Sequence, residues 1–151
     1  MIDAKLRIGN NLVPAASGAT FERRNPLGGE VVTVAAAAAP ADAVAAADAA
    51  ARAFDTWSET GPNERRAALA RVAELLAQRS EAFVDAMIDE TGTSAAWARF
   101  NVQGALGALR EAAALATQVG GEVIPSDKPG CLAITTRVPV GVVLGIAPWN
   151  A

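Results

Sequence analysis

Residues 137–151 read RVPVGVVLGIAPWNA, and the reading of this stretch decides the fold. Pro139 and Gly141 flank Val140 and mark a turn. Residues 141–147 follow as an unbroken apolar run rich in β-branched side chains. The run is too short for a helix and is bounded by turn residues, so it predicts a strand buried on both faces, as in a parallel sheet. Pro148 cannot donate to a sheet ladder and ends the run. Trp149 and Asn150 are thereby expected at the carboxyl end of a parallel strand, where open α/β sheets hold ligands. The Asn150 side-chain amide, at the mouth of an apolar strand, is placed to donate a hydrogen bond to a substrate oxygen.

Upstream of this run the pattern is a hairpin. Residues 122–124 and 131–138 read as strands around a turn at 125–130. Before it lie helices. The fourth opens at Ser94 and reaches about Val119, where Gly120-Gly121 stops it. The third starts with Ser80 as its cap, turns Phe83, Val84, Met87 and Ile88 inward, and ends at Gly92. The second begins near Glu64, after Gly61-Pro62. Its inner face is Leu69, Val72, Ala73 and Leu76, with Arg65, Arg66, Arg71 and Glu74 mostly opposite. The first starts at Pro40 with Asp42 in its first turn, and Val44, Ala47, Ala51 and Phe54 share a face. Ala39 is a poor N-cap, so that end is expected to fray. At the beginning, residues 5–13 predict a hairpin turning at Gly9-Asn10-Asn11. Residues 20–24 are extended, 25–29 turn, and 30–34 form a strand of β-branched residues. Two hairpins suit a small antiparallel layer.

The chain has 151 residues, 52% of them hydrophobic, which suffices for a core, although much of that fraction is alanine. A net charge of −3 gives no electrostatic support to binding nucleic acid or an anionic membrane. The alanine tract is interrupted by Pro40, Asp42 and Asp48 and is no membrane span. There is no histidine and a single cysteine, Cys131, so neither a zinc site nor a Ser-His or Cys-His dyad can be assembled. A lone cysteine and the lack of a signal-peptide pattern fit the cytoplasm.

With these segments in place, PVGVVLGIAPWN resembles the signature of the NAD(P)-dependent aldehyde dehydrogenases. The resemblance runs from about Lys5 onward through FERRNP, AFDTW, GPNERR, SAAWARFNV and REAAALATQVGGEVIPSD. It is nearest to the branch acting on aromatic aldehydes such as salicylaldehyde, vanillin and benzaldehyde. It implies an α/β chain corresponding to the amino-terminal third of the family fold. Residues 1–120 would be the amino-terminal part of the cofactor-binding domain. Residues 121–139 would be an oligomerisation arm, and 140–151 the first strand of a Rossmann-like parallel sheet with its oxyanion turn. The family's nucleophilic cysteine, general-base glutamate and glycine-rich pyrophosphate turn all come later than Ala151. The implied reaction takes a small-molecule aldehyde to its acid through a thiohemiacetal. The cofactor is NAD or NADP, with NAD favoured, and the full enzyme is a dimer or tetramer. A different class of reading is a catalytically inactive fragment that serves as a partner-binding or oligomerisation module through its arm.

The resemblance also assigns residues. Asn150 would be the oxyanion donor. Ile146, Ala147, Pro148 and Trp149 would line the nicotinamide side through their backbone, although Trp149 could equally be core packing. Trp97 and Phe100 stand three apart on one helix, with Gly104 a turn further. They are read either as helix packing or as flat walls of an aromatic-aldehyde pocket with room left by the glycine. Asn101 is a weaker candidate on the same helix. Gly141 and Gly145 do not match a dinucleotide fingerprint and are read as sites of close packing against a helix. Cys131 has no activating neighbour and is read as a bystander. Asp89, Glu90 and Glu111 are read as a solvated face.

Overall fold

The computed structural model describes residues 1–147. Seven strands and four helices are found there. β1 (Ile2–Ala4), β2 (Leu6–Ile8) and β3 (Asn11–Val13) come first, then β4 (Thr20–Arg24) and β5 (Val31–Ala36). The helices follow without interruption: α1 (Pro40–Ser58), α2 (Pro62–Gln78), α3 (Ser80–Thr91) and α4 (Ala95–Leu115). A short hairpin of β6 (Val123–Ile124) and β7 (Ala133–Ile134) closes the series.

The expected first hairpin forms, with Leu6 opposite Val13 and Ile8 opposite Asn11. The strands at 20–24 and 31–36 pair antiparallel with a register shift at Arg23/Arg24. The layer is not purely antiparallel, however. β1 joins β5 in parallel, so β5 is the centre of a mixed sheet in the order β1-β5-β4. β1 is only three residues long and carries no turn signal or alternation, and its strand character comes from its neighbour.

The start of α1 does not fray. Ala39 has no capping side chain, but Asp42, three residues into the helix, accepts from the Ala39 N–H at 2.9 Å. Its other oxygen accepts from the Ala16 N–H at 2.9 Å. The buried carboxylate thus satisfies a helix-entry donor and pins the loop at 15–16 to the helix. The face expected to be inward on α1 is mostly outward. Val44 is 60% exposed, Ala47 and Ala51 are exposed, and Phe54 is half-buried. Among the described residues only the Phe54 end of that stripe is partly covered, beside residues 141–143.

The core lies where α3 and α4 meet under α2. Val84, Ala98, Val102 and Leu106 are buried together, flanked by Leu76, Met87 and Ile88. Two expected core positions, Val72 and Phe83, are exposed. Ser80 makes no capping bond, whereas Ser94 does, accepting from the Trp97 N–H at 3.3 Å. Gly92 ends α3 in the left-handed region at φ 67°. Arg65 is not on the solvated face. It is half-buried, and its Nη2 donates to the Trp57 and Ser58 carbonyls at 3.2 and 2.9 Å. It thereby satisfies the carboxyl end of α1 from α2, with its guanidinium 5.8 Å from the Trp57 ring centroid.

Glu90 is likewise no solvated carboxylate. It accepts from the hydroxyl of buried Thr33 on β5 at 2.5 Å and lies 4.0 Å from Arg23 on β4. That contact fastens α3 to the sheet.

Candidate functional site

Trp97 and Phe100 project from the first two turns of α4, which Ser94 caps and Ala98, Val102 and Leu106 anchor from below. Their rings stack at 5.4 Å between centroids with a 25° interplanar angle. Neither packs into the helical core: Trp97 is 51% and Phe100 65% exposed. Gly104, a turn further on, has nothing within 4 Å of where a Cβ would stand. Among the described residues the two rings are thus only partly covered. An apolar aromatic wall faces outward beside an open glycine. Arg99, on the same helix, bonds Glu81 at 3.1 Å. That hydrogen bond and the charge of Glu81 hold its pKa above the ordinary value, so it stays a cation.

Residues 141–147 do not form the expected strand. No ladder includes them, and Val143, Leu144 and Ile146 are largely exposed. A strand apolar on both faces needs neighbours on both edges and cover on both sides, and no described element supplies them. Gly141 has φ 98° and, like Gly145, nothing within 4 Å of its Cβ position. Backbone conformation, not close packing, calls for glycine at 141. Gly141, Val142 and Val143 share a groove with Ala50, Ala53, Phe54 and Trp57 of α1.

Ile146 and Ala147 sit at the end of this exposed run, while Pro148, Trp149 and Asn150 lie outside the described residues. The structure thus brings Trp97, Phe100 and Gly104 together on α4. A dinucleotide needs a cradle of backbone N–H groups beneath its phosphates and a closed face over its ring. With Ile146 83% exposed, the described residues do not build that cradle. Cys131 is exposed and unbonded to another sulfur, and it lies in the turn before β7.

Comparison with known proteins decides the lineage. The model of the aldehyde dehydrogenase family matches residues 12–151. The chain belongs to the aldehyde dehydrogenase family. A vanillin dehydrogenase from Pseudomonas fluorescens is 55% identical over all 151 residues, which are 31% of that relative. The crystal structure of a salicylaldehyde dehydrogenase from Pseudomonas putida, complexed with salicylaldehyde, superposes with a TM-score of 0.90. It is 45% identical and covers 93% of this chain, which matches 29% of it. The structure of an NAD-dependent benzaldehyde dehydrogenase from Corynebacterium glutamicum gives a TM-score of 0.75 at 32% identity, over 82% of this chain and 27% of that one. The chain thus spans about three-tenths of the length of these aldehyde dehydrogenases, and its mixed α/β architecture is that of the amino-terminal part of their fold.

Sequence reasoning missed two structural carboxylate contacts, those of Asp42 and Glu90. For Asp42 a signal existed: an acid at the third helical position can reach back to the N-cap N–H whatever the N-cap residue is. For Glu90 none did, because its partner Thr33 is 57 residues away.

Proposed function

We propose that this chain serves as the amino-terminal part of an NAD(P)-dependent aldehyde dehydrogenase that oxidises an aromatic aldehyde to its carboxylic acid. The observation that carries the reading is the 0.90 TM-score match at 45% identity to a salicylaldehyde dehydrogenase complexed with its aldehyde. The outward Trp97–Phe100 pair supports the aromatic preference, because flat apolar walls favour rings through dispersion and offset stacking.

In this reading Asn150 donates its side-chain N–H to the oxygen that becomes negative when a thiolate adds to the aldehyde carbon. A donor fixed in advance acts most where charge develops. Residues 146–149 contribute one wall beside the cofactor, and their backbone does so. The cofactor supplies the hydride acceptor, and NAD is proposed over NADP because a relative at 32% identity is NAD-dependent. The thiolate and the general base come from outside these residues, and Cys131 takes no part. A homo-oligomer built through the arm at 121–139 accompanies the proposal, supported by exposed Val123, Leu132 and Ile134. The proposed compartment is the cytoplasm.

The test is a chimera in which residues 1–151 replace the matching part of the Pseudomonas fluorescens vanillin dehydrogenase. It is expected to oxidise benzaldehyde with NAD, and Trp97→Ala is expected to lower kcat/KM for benzaldehyde more than for propanal. A folded chimera without turnover would refute the reading. Equal losses for the two aldehydes would remove Trp97 from the pocket.

A further inference from the structure

Where the foot of the β6–β7 arm meets the start of α2 lies a cleft of about 400 Å³. Pro62 and Arg65 reach it from the first turn of α2, Gly120 and Gly121 from the segment after α4, and Thr136 and Arg137 from the segment after β7. Two arginines and no carboxylate line it. Glu64 and Glu122, the sequence neighbours of Arg65 and Gly121, are not part of the wall. Among the described residues neither arginine forms an ion pair. Two like charges on one cleft repel, and an anion between them turns that repulsion into attraction.

Arg65 is held in place from within the chain. Its Nη2 donates to the Trp57 and Ser58 carbonyls at 3.2 and 2.9 Å, and its guanidinium lies over the Trp57 ring. Those two contacts use both hydrogens of Nη2, so the donors left over are on Nε and Nη1. Nε is buried and has no acceptor among the described residues. A buried N–H without a partner is uncommon and points to a nearby ion or water that compensates it. Helix dipoles do not decide the sign of the cleft. α2 begins here and α4 ends here, and each end carries only about half a charge, of opposite sign. The two full charges of the arginines therefore dominate.

We propose that this cleft binds a phosphate dianion, free or as the end of a phosphate monoester, with its oxygens accepting from Arg65 Nη1, the Arg137 guanidinium and the Thr136 hydroxyl. The donors come from different segments of chain, which suits an ion whose oxygens diverge and which carries two charges. A planar carboxylate offers two oxygens and one charge. Because Arg65 is already fixed, little side-chain freedom is lost on binding. The proposal concerns the described residues alone and is independent of the dehydrogenase reading.

The test uses the full 151-residue chain at about pH 8, where inorganic phosphate and methyl phosphate are both dianions. Amide NMR shifts of Gly120, Gly121 and Thr136 are followed. Inorganic phosphate is expected to move them along a saturable curve with a Kd on the order of 1 mM. Acetate at matched ionic strength should bind at least about tenfold more weakly. Arg137→Gln, at an exposed position, should weaken phosphate binding by at least about tenfold, the usual effect of losing a charge-assisted hydrogen bond, with circular dichroism unchanged. Arg52→Gln removes a charge from outside the cleft and should leave the Kd within about twofold of its value, since distant exposed charges are screened. Methyl phosphate binding with the same Kd supports a monoester as the ligand, and its exclusion supports the free ion. Shifts that do not saturate, or equal affinity for acetate, overturn the site. A Kd unmoved by Arg137→Gln, or moved as far by Arg52→Gln, means diffuse attraction to the chain and overturns it as well.

Discussion

Asp42 holds two backbone donors with one buried carboxylate, and it is the residue on which the entry to α1 depends. Asp42→Ala would leave the Ala16 and Ala39 N–H groups without their acceptor, at a cost of about 1–3 kcal/mol. A melting temperature about 3–10 °C lower is the expected reading, given the usual scaling for a chain of this size. Asp42→Asn keeps one acceptor oxygen and should lose about half as much. Unchanged melting in the alanine variant would show that the two contacts carry no net stability. At the other end of the chain, Asn150 is argued from chemistry and lineage, since it lies outside the described residues. In the chimera with the vanillin dehydrogenase, Asn150→Ala should lower kcat by roughly 10²–10³, the usual effect of removing one oxyanion donor. Steady-state kinetics with kcat unchanged would exclude it from the catalytic group.

The elements that sequence made legible are those whose cause is local. α3 ends where Gly92 allows φ 67°, α4 starts where Ser94 caps it, and the first hairpin turns at residues 9–11. The elements it missed or overstated depend on distant partners. β1 is a strand only because β5 lies beside it, and residues 141–147 are not one because no strand among the described residues pairs with them. The same limit applies to faces. Periodicity marks an apolar stripe on α1 but cannot say whether anything covers it, and Val44 is left outside. For the candidate site, periodicity grouped Trp97, Phe100 and Gly104, but whether that face is inward or outward was not in the spacing. Gly121 shows how a distant partner constrains a glycine that looked like a helix stop. A Cβ there would stand 1.8 Å from the Thr135 carbonyl oxygen. Beside it, the Thr135 N–H donates to the Glu122 carbonyl at 2.8 Å, and the Glu122 N–H donates to the Thr135 hydroxyl at 2.9 Å. Gly121→Ala should therefore open the base of the β6–β7 arm, because the clash is with backbone and cannot be relieved by a rotamer change. Amide hydrogen exchange at Thr135 should speed up by at least about tenfold, since breaking the local pairing removes its protection. Exchange at the wild-type rate would mean that the arm is held elsewhere.

At the scale of the whole chain, apolar surface is unevenly placed. The helical core is covered, while the arm and the run after it carry Leu132, Val138, Val140, Leu144 and Ile146, each more than 70% exposed. β6 and β7 make a ladder of two residue pairs, so both have free edges along most of the arm. A hairpin that short is marginal in water by itself. Exposed apolar residues next to unpaired strand edges favour pairing with another chain. A net charge of −3 offers little repulsion to oppose it. The 151-residue chain is therefore expected to self-associate, with multi-angle light scattering giving a mass that rises with concentration above the 15.3 kDa of one copy. Lysine in place of both Leu132 and Ile134 should shift the distribution toward the single copy, because each places a charge on the surface that would be buried. The helical residues are untouched, so circular dichroism should not change. In the same preparation, benzaldehyde and NAD should give no NADH above a blank, because the sole thiol, Cys131, is exposed on the arm without a histidine anywhere in the chain to activate it. A mass of one copy at all concentrations would show that the arm and the following run find their cover within one chain. Aldehyde-dependent NADH formation that disappears in Cys131→Ser would show that this thiol is a nucleophile after all.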